Sequence, residues 1–127
     1  DAKGYTHDID HTVIGPTGVF TIETKAWNGK LWKDAEKLIH NGYDESGRVG
    51  QAVGQAKEVR RRLALGHSEV RWVEALLVST KSSLPEVKLP FKYVTVLGAS
   101  DLVPHIRDRT HVLQTQDVDR IWSLLAK

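Results

Sequence analysis

Two hydrophobic periods alternate along the chain. Between about Thr6 and Thr24, runs rich in Val, Ile, Thr and Phe flank Gly15-Pro16-Thr17-Gly18, which predicts a β-hairpin. Asn28-Gly29 is a short-turn signal, so Lys30-Leu31-Trp32 is expected as a return strand. Residues 41–48, Asn-Gly-Tyr-Asp-Glu-Ser-Gly-Arg, form a polar stretch that predicts a loop. From Val49 the period lengthens: Val49, Ala52, Val53, Ala56, Val59 and Leu63 share one side of a helix, and Gly66 is its stop. Val70 to Ser79 is largely apolar on both parities, as in a strand covered on both faces. Lys81 to Pro90 reads as a loop with two prolines, and Tyr93 to Leu97 as another buried strand. Ser100 or Asp101 is the expected cap of a short helix or turn near Leu102. Thr115 precedes a last amphipathic helix with Asp in its first turn. The order β-β-β-α-β-β-α implies an α/β (α+β) domain: a mixed central sheet flanked by helices.

The hairpin carries the first chemical question. A turn centred on Pro16-Thr17 sets Ile14 against Val19, Thr12 against Thr21, Asp10 against Glu23 and Asp8 against Lys25. With period-two alternation these pairs share one face. Opposed Cβ atoms lie about 4.5–5.5 Å apart, where two like charges are destabilising. Lys25 supplies part of the compensating charge, and a divalent metal with oxygen ligands would supply more. A bulge or three-residue loop would break the register and turn Glu23 to the other face. The plain alternative is an amphipathic hairpin whose charged face meets water. Ile14 and Val19 on that face count against it.

Composition narrows the class. With 127 residues the chain is one domain able to bury a single core, and 40% apolar with 27% charged residues is ordinary for a globular protein. No apolar run approaches the ~20 residues of a membrane-spanning helix, and no secretory signal pattern opens the sequence. The absence of cysteine excludes disulfides and Cys-ligated zinc, and fits a reducing cytoplasm. The absence of any Met leads to the expectation that an upstream part has been removed. The net charge of +2 points to an anionic partner only if the Lys and Arg cluster on one surface.

Asp10 followed at a distance by Glu23-Thr24-Lys25 resembles the Asp…Glu-x-Lys signature of the PD-(D/E)XK nucleases. Around it, Ile9-Asp10-His11, Gly15-Pro16-Thr17-Gly18-Val19-Phe20, Ile22-Glu23-Thr24-Lys25 and Trp27-Asn28-Gly29 resemble the nuclease-related (NERD) domain of bacterial and archaeal proteins. That family carries a downstream Gln-bearing helix, as in Gln51-Ala52, so the resemblance is strongest over residues 8–63. It implies a restriction-endonuclease-like core and one NERD-like domain over residues 1–127. The family's usual N-terminal amphipathic helix, which bears a Glu, is expected to be missing from this chain.

The resemblance also assigns roles. Asp10 and Glu23 would hold Mg²⁺ or Mn²⁺ against a scissile phosphate, and Lys25 would orient a water or stabilise charge on the phosphorus. The family register favours Gln51 as the helix residue of the site, while the helical wheel sets Gln55 nearer the sheet. Asp8 is either a partner of Lys25 or a solvated strand-end residue. His11 is expected on the opposite face, as a structural histidine. Trp27 and Trp32 either pack or stack on bases. Lys57, Arg60, Arg61 and Arg62 on the Gln helix, with Lys30, are phosphate contacts or a solvated helix face. The function implied is metal-dependent hydrolysis of DNA, with RNA kept open, in the cytoplasm. The alternative is a non-cleaving nucleic-acid-binding or assembly module on the same fold.

Overall fold

The computed structural model describes residues 11–70, 72–83, 88–91 and 93–126. Asp8 and Asp10 lie outside the described residues. The elements are β1 (His11–Gly15), β2 (Gly18–Asp34), β3 (Lys37–His40), β4 (Tyr43–Asp44), α1 (Ser46–Leu65), β5 (Glu74–Ser83), β6 (Lys88–Phe91), β7 (Val94–Gly98), α2 (Ala99–Arg107) and α3 (Thr115–Leu125). Seven strands form one mixed sheet in the order β4-β3-β2-β5-β7-β6, with β1 also paired to β2. The centre of the sheet, β2-β5-β7, is parallel, and β1, β3 and β6 are antiparallel to their neighbours. The architecture is the mixed α/β sheet with flanking helices that the sequence pattern implies.

Two cores lie on opposite faces of the sheet, because residues of β5 alternate between them. Ala75 and Leu77 meet Val19, Val94 and Val96 beneath α1 and α3. Leu76 and Val78 meet Phe20, Ile22 and Leu97 beneath Leu102 and Ile106 of α2. A strand walled on both sides has no polar face to show, hence the continuous apolar run. The α1 stripe is Val49, Ala52, Gln55, Ala56, Val59 and Leu63, so one polar side chain stands in an otherwise apolar row.

The first hairpin has the expected turn and register: Gly15 pairs Gly18, Ile14 pairs Val19, and Thr12 pairs Thr21. The turn is tied down from outside. The amides of Val112 and Leu113 donate to the Pro16 carbonyl at 2.7 and 3.0 Å, and the Thr17 hydroxyl donates to the Ile106 carbonyl at 2.5 Å.

Four local expectations are corrected. Asn28-Gly29 is not a turn: β2 runs through it for 17 residues, because β5 pairs alongside as far as Lys30–Ser83. Between the pairs Lys25–Ser79 and Asn28–Lys81, two residues of β2 (Ala26 and Trp27) stand opposite one of β5 (Thr80), a bulge that bends the strand there. The loop expected at 41–48 is instead the second Asn-Gly hairpin, β3 to β4, followed by the start of α1. Asn41 (φ 49°) and Gly42 (φ 82°) both take positive φ, as a type I′ turn requires. Of the loop expected at 81–90, the described residues 81–83 end β5 and 88–90 belong to edge strand β6, where Pro90 is tolerated because an edge leaves one side unpaired, while 84–87 lie outside the described residues. Finally, the short helix expected near Leu102 is α2, but its N-cap position is Gly98, with no side-chain capping bond, rather than Ser100 or Asp101.

Candidate functional site

Glu23 sits near the middle of the parallel sheet, two residues before Lys25 on the α1 side of β2. It is buried, with only 6% of its surface exposed. A lone carboxylate there would be costly, and both of its oxygens are engaged. The Lys25 ammonium lies 2.9 Å from Oε1, and the Gln55 amide donates to Oε2 at 2.7 Å. Lys25 keeps about a quarter of its side chain exposed, so the pair has one buried member and one that reaches solvent.

Gln55 reaches Glu23 because Ala52, Gln55, Ala56 and Val59 follow the three- and four-residue spacing that faces the sheet. Its carbonyl oxygen, Oε1, is buried and has no hydrogen-bond partner among the described residues. Such an acceptor is costly when left alone and is satisfied by a proton donor or a cation. Gln51, one turn earlier, is exposed. Ser79, at 1% exposure, stands beside Lys25 in the parallel register, with Gly98 on its other side. Lys25, Ser79 and Gly98 thus form one row across the three adjacent parallel strands, inside β2 and β5 and at the carboxyl end of β7. No signal in the sequence singled out Ser79, since its nearness to Lys25 exists only through the β2–β5 register.

The wall beyond the bulge is polar and interlocked. His40 Nε2 lies 2.6 Å from the Asn28 carbonyl and its Nδ1 lies 3.3 Å from a Glu45 carboxylate oxygen. The ring also stacks on Trp27 at 5.4 Å. Asn41 donates to the same carbonyl at 3.2 Å. Trp27 is therefore a packing residue, half-buried against the larger core. His11 is exposed, paired opposite Ile22.

The basic residues separate into groups. Arg61 and Arg62 share Glu58, at 2.7 and 3.3 Å. The Arg61 hydrogen bonds hold the Glu58 carboxyl down at about 2, well below the ordinary 4.5, with Arg62 adding to the effect. Lys57 and Arg60 are exposed and line a cleft of about 300 Å³ beside Trp72. Lys30 lies on the exposed end of β2, its ammonium 5.4 Å from the Trp32 ring centre.

Among the described residues, no group of three or more His, Cys, Asp or Glu is placed to hold a metal. Glu23 and the Gln55 carbonyl are both hard oxygen donors. Mg²⁺ asks for little more from a protein, since one or two carboxylates with waters and substrate oxygens complete its shell. The residues present fit such an ion.

The model of the nuclease-related domain (NERD) matches residues 1–80, and the chain belongs to that family. No curated protein and no solved structure matches it. The matched span includes Glu23, Lys25, the bulge, the whole of α1 and most of β5. Among the described residues no helix is long and apolar enough to cross a membrane.

Proposed function

We propose that the domain is a metal-dependent nuclease that hydrolyses phosphodiester bonds of DNA. One observation carries the reading: a buried carboxylate held between an ammonium and an amide whose own carbonyl is left without a partner among the described residues. A structural ion pair would close its hydrogen bonds within the core. This one leaves the buried Gln55 acceptor without a partner among the described residues, next to a carboxylate whose other partner, Lys25, reaches solvent.

In this reading Asp10 and Glu23 hold Mg²⁺ or Mn²⁺; when bound, the ion polarises a phosphoryl oxygen and lowers the pKa of a water. Lys25 neutralises Glu23 in the metal-free protein. With the carboxylate otherwise engaged, its ammonium turns to the attacking water or to the charge developing on the phosphoryl oxygens. The Gln55 amide keeps Glu23 in its orientation, and Gln55 Oε1 accepts a hydrogen bond from the water. Gln51 is not needed for either task. Lys30, Lys57 and Arg60 supply phosphate contacts, while Arg61, paired with Glu58, contributes less.

The test uses plasmid DNA, linear DNA and an RNA of matched sequence, each with Mg²⁺, Mn²⁺ or EDTA. Wild type is expected to cut DNA with either metal and not in EDTA, and Glu23→Ala and Lys25→Ala to lose about 100-fold or more in rate. A wild type that cuts no faster than these variants overturns the reading.

A further inference from the structure

The cleft beside Arg60 has a composition that packing does not require. Trp72 is 55% exposed and Tyr93 is 74% exposed, and both line the same concavity with Lys57 and Arg60. The Arg60 guanidinium lies 5.7 Å from the Trp72 ring centre, so one cation already lies against this aromatic. Val53, Ala56 and Ala75 form its floor. Single exposed aromatics are common and carry no message. Two aromatics converging on one cleft with two cations form the set that binds unpaired bases: rings for the base faces, ammonium and guanidinium for the backbone. At about 300 Å³ the cleft is at the small end of ligand pockets, suited to one base rather than to a duplex. In the sequence each aromatic also follows a basic residue, Arg71 and Lys92, although neither is among the described residues.

The cleft is separate from the Glu23 site. At about 100° per residue, Val53, Ala56, Lys57 and Arg60 lie on one flank of the buried α1 stripe and Gln55 on the other. The charge on its borders also has a direction. The concavity that shares Trp72 carries Glu69 and Asp117 with Arg120, whereas the residues lining the cleft include Lys57 and Arg60 and no carboxylate, which favours an anionic strand in the cleft.

We propose that this cleft stacks an unpaired base of a single-stranded nucleic acid on Trp72 and Tyr93, with Lys57 and Arg60 on its phosphates. The proposal deepens the nucleic-acid reading above and rests on it, adding that the preferred ligand contains a single-stranded segment. Because Gln55 lies on the other flank, the cleft acts on affinity and not on the chemical step.

Fluorescence anisotropy in EDTA, where no cleavage is expected, tests it with a labelled oligo-dT single strand and a blunt-ended duplex. Wild type is expected to bind the single strand more tightly. Trp72→Ala and Tyr93→Ala should each weaken that binding about tenfold and leave the duplex nearly unchanged, while Trp72→Phe keeps most of the affinity. Far-UV circular dichroism confirms that the variants fold. Equal binding of both probes, unchanged single-strand binding in both Ala variants, or no binding at all overturns the proposal. Cleavage assays on the same proteins separate the two readings. A wild type that cuts but shows no single-strand preference removes only the cleft, and a wild type that binds the single strand through Trp72 and Tyr93 without cutting removes only the nuclease.

Discussion

Glu23 is a carboxylate in a place where burial alone would reject it, and its two partners divide the task of keeping it there. Lys25 supplies charge and Gln55 supplies direction. Partners that orient a metal-binding carboxylate typically matter by ~10–100-fold in metal affinity or activity. Gln55→Ala is accordingly expected to lower metal-dependent cleavage at least about tenfold, whereas exposed Gln51→Ala should change it by less than about twofold. Initial rates together with Mn²⁺ titration calorimetry check both, and equal losses would return the role to Gln51. Family register and helical wheel pointed to different glutamines because they measure different things. The register counts along the chain, while the wheel asks which residue lies in the row that faces the sheet.

At the scale of elements, the decisive feature is a strand that continues where a turn was expected. The chain contains two Asn-Gly pairs, and each is locally competent to reverse direction. The first is held extended by β5 and the second makes the hairpin. Gly29 still shows its peculiarity, with φ at 82° and the Asn41 side-chain oxygen 2.6 Å from where a Cβ would stand. Gly42 has the same φ and open space around that position. Both substitutions to Ala incur the left-handed backbone cost of about 1–2 kcal/mol, and Gly29→Ala must also displace Asn41 from the Asn28 carbonyl. Urea denaturation should therefore rank Gly29→Ala below Gly42→Ala. The basic run on α1 gives a pH test. Glu58 is held at about 2, below its ordinary 4.5, so its pairs with Arg61 and Arg62 stabilise the fold above that ordinary value. The stabilisation is lost as pH falls through about 2. Thermal melts of wild type and Glu58→Gln should differ near neutrality, by no more than ~1 kcal/mol for these solvent-facing pairs, and converge in acid.

For the molecule as a whole, metal binding should register as stability, since an ion that binds only the folded form shifts unfolding by about 2.7 kcal/mol at a hundredfold excess over its Kd. Mn²⁺ is expected to raise the melting temperature of wild type by several degrees and that of Glu23→Ala not at all. An equal rise in both would place the ion elsewhere. Taken by itself, the sequence determined the alternation that makes the first hairpin, the turn at Pro16-Thr17, the register of the described hairpin pairs, the apolar stripe of α1 with its Gly66 stop, and the resemblance carried by Glu23 and Lys25. Each of these is decided within a few residues, by side-chain period or by the backbone preferences of Gly and Pro. Tertiary structure alone decided which Asn-Gly pair turns, which Gln meets Glu23, and that Ser79 stands beside Lys25. It also brought Trp72 and Tyr93 to one cleft with Lys57 and Arg60. Those outcomes depend on the parallel docking of β2 against β5 and of β5 against β7, and on the seating of α1 over one face. The partners are far apart in sequence, and only burial of the shared core selects their pairing from the local alternatives.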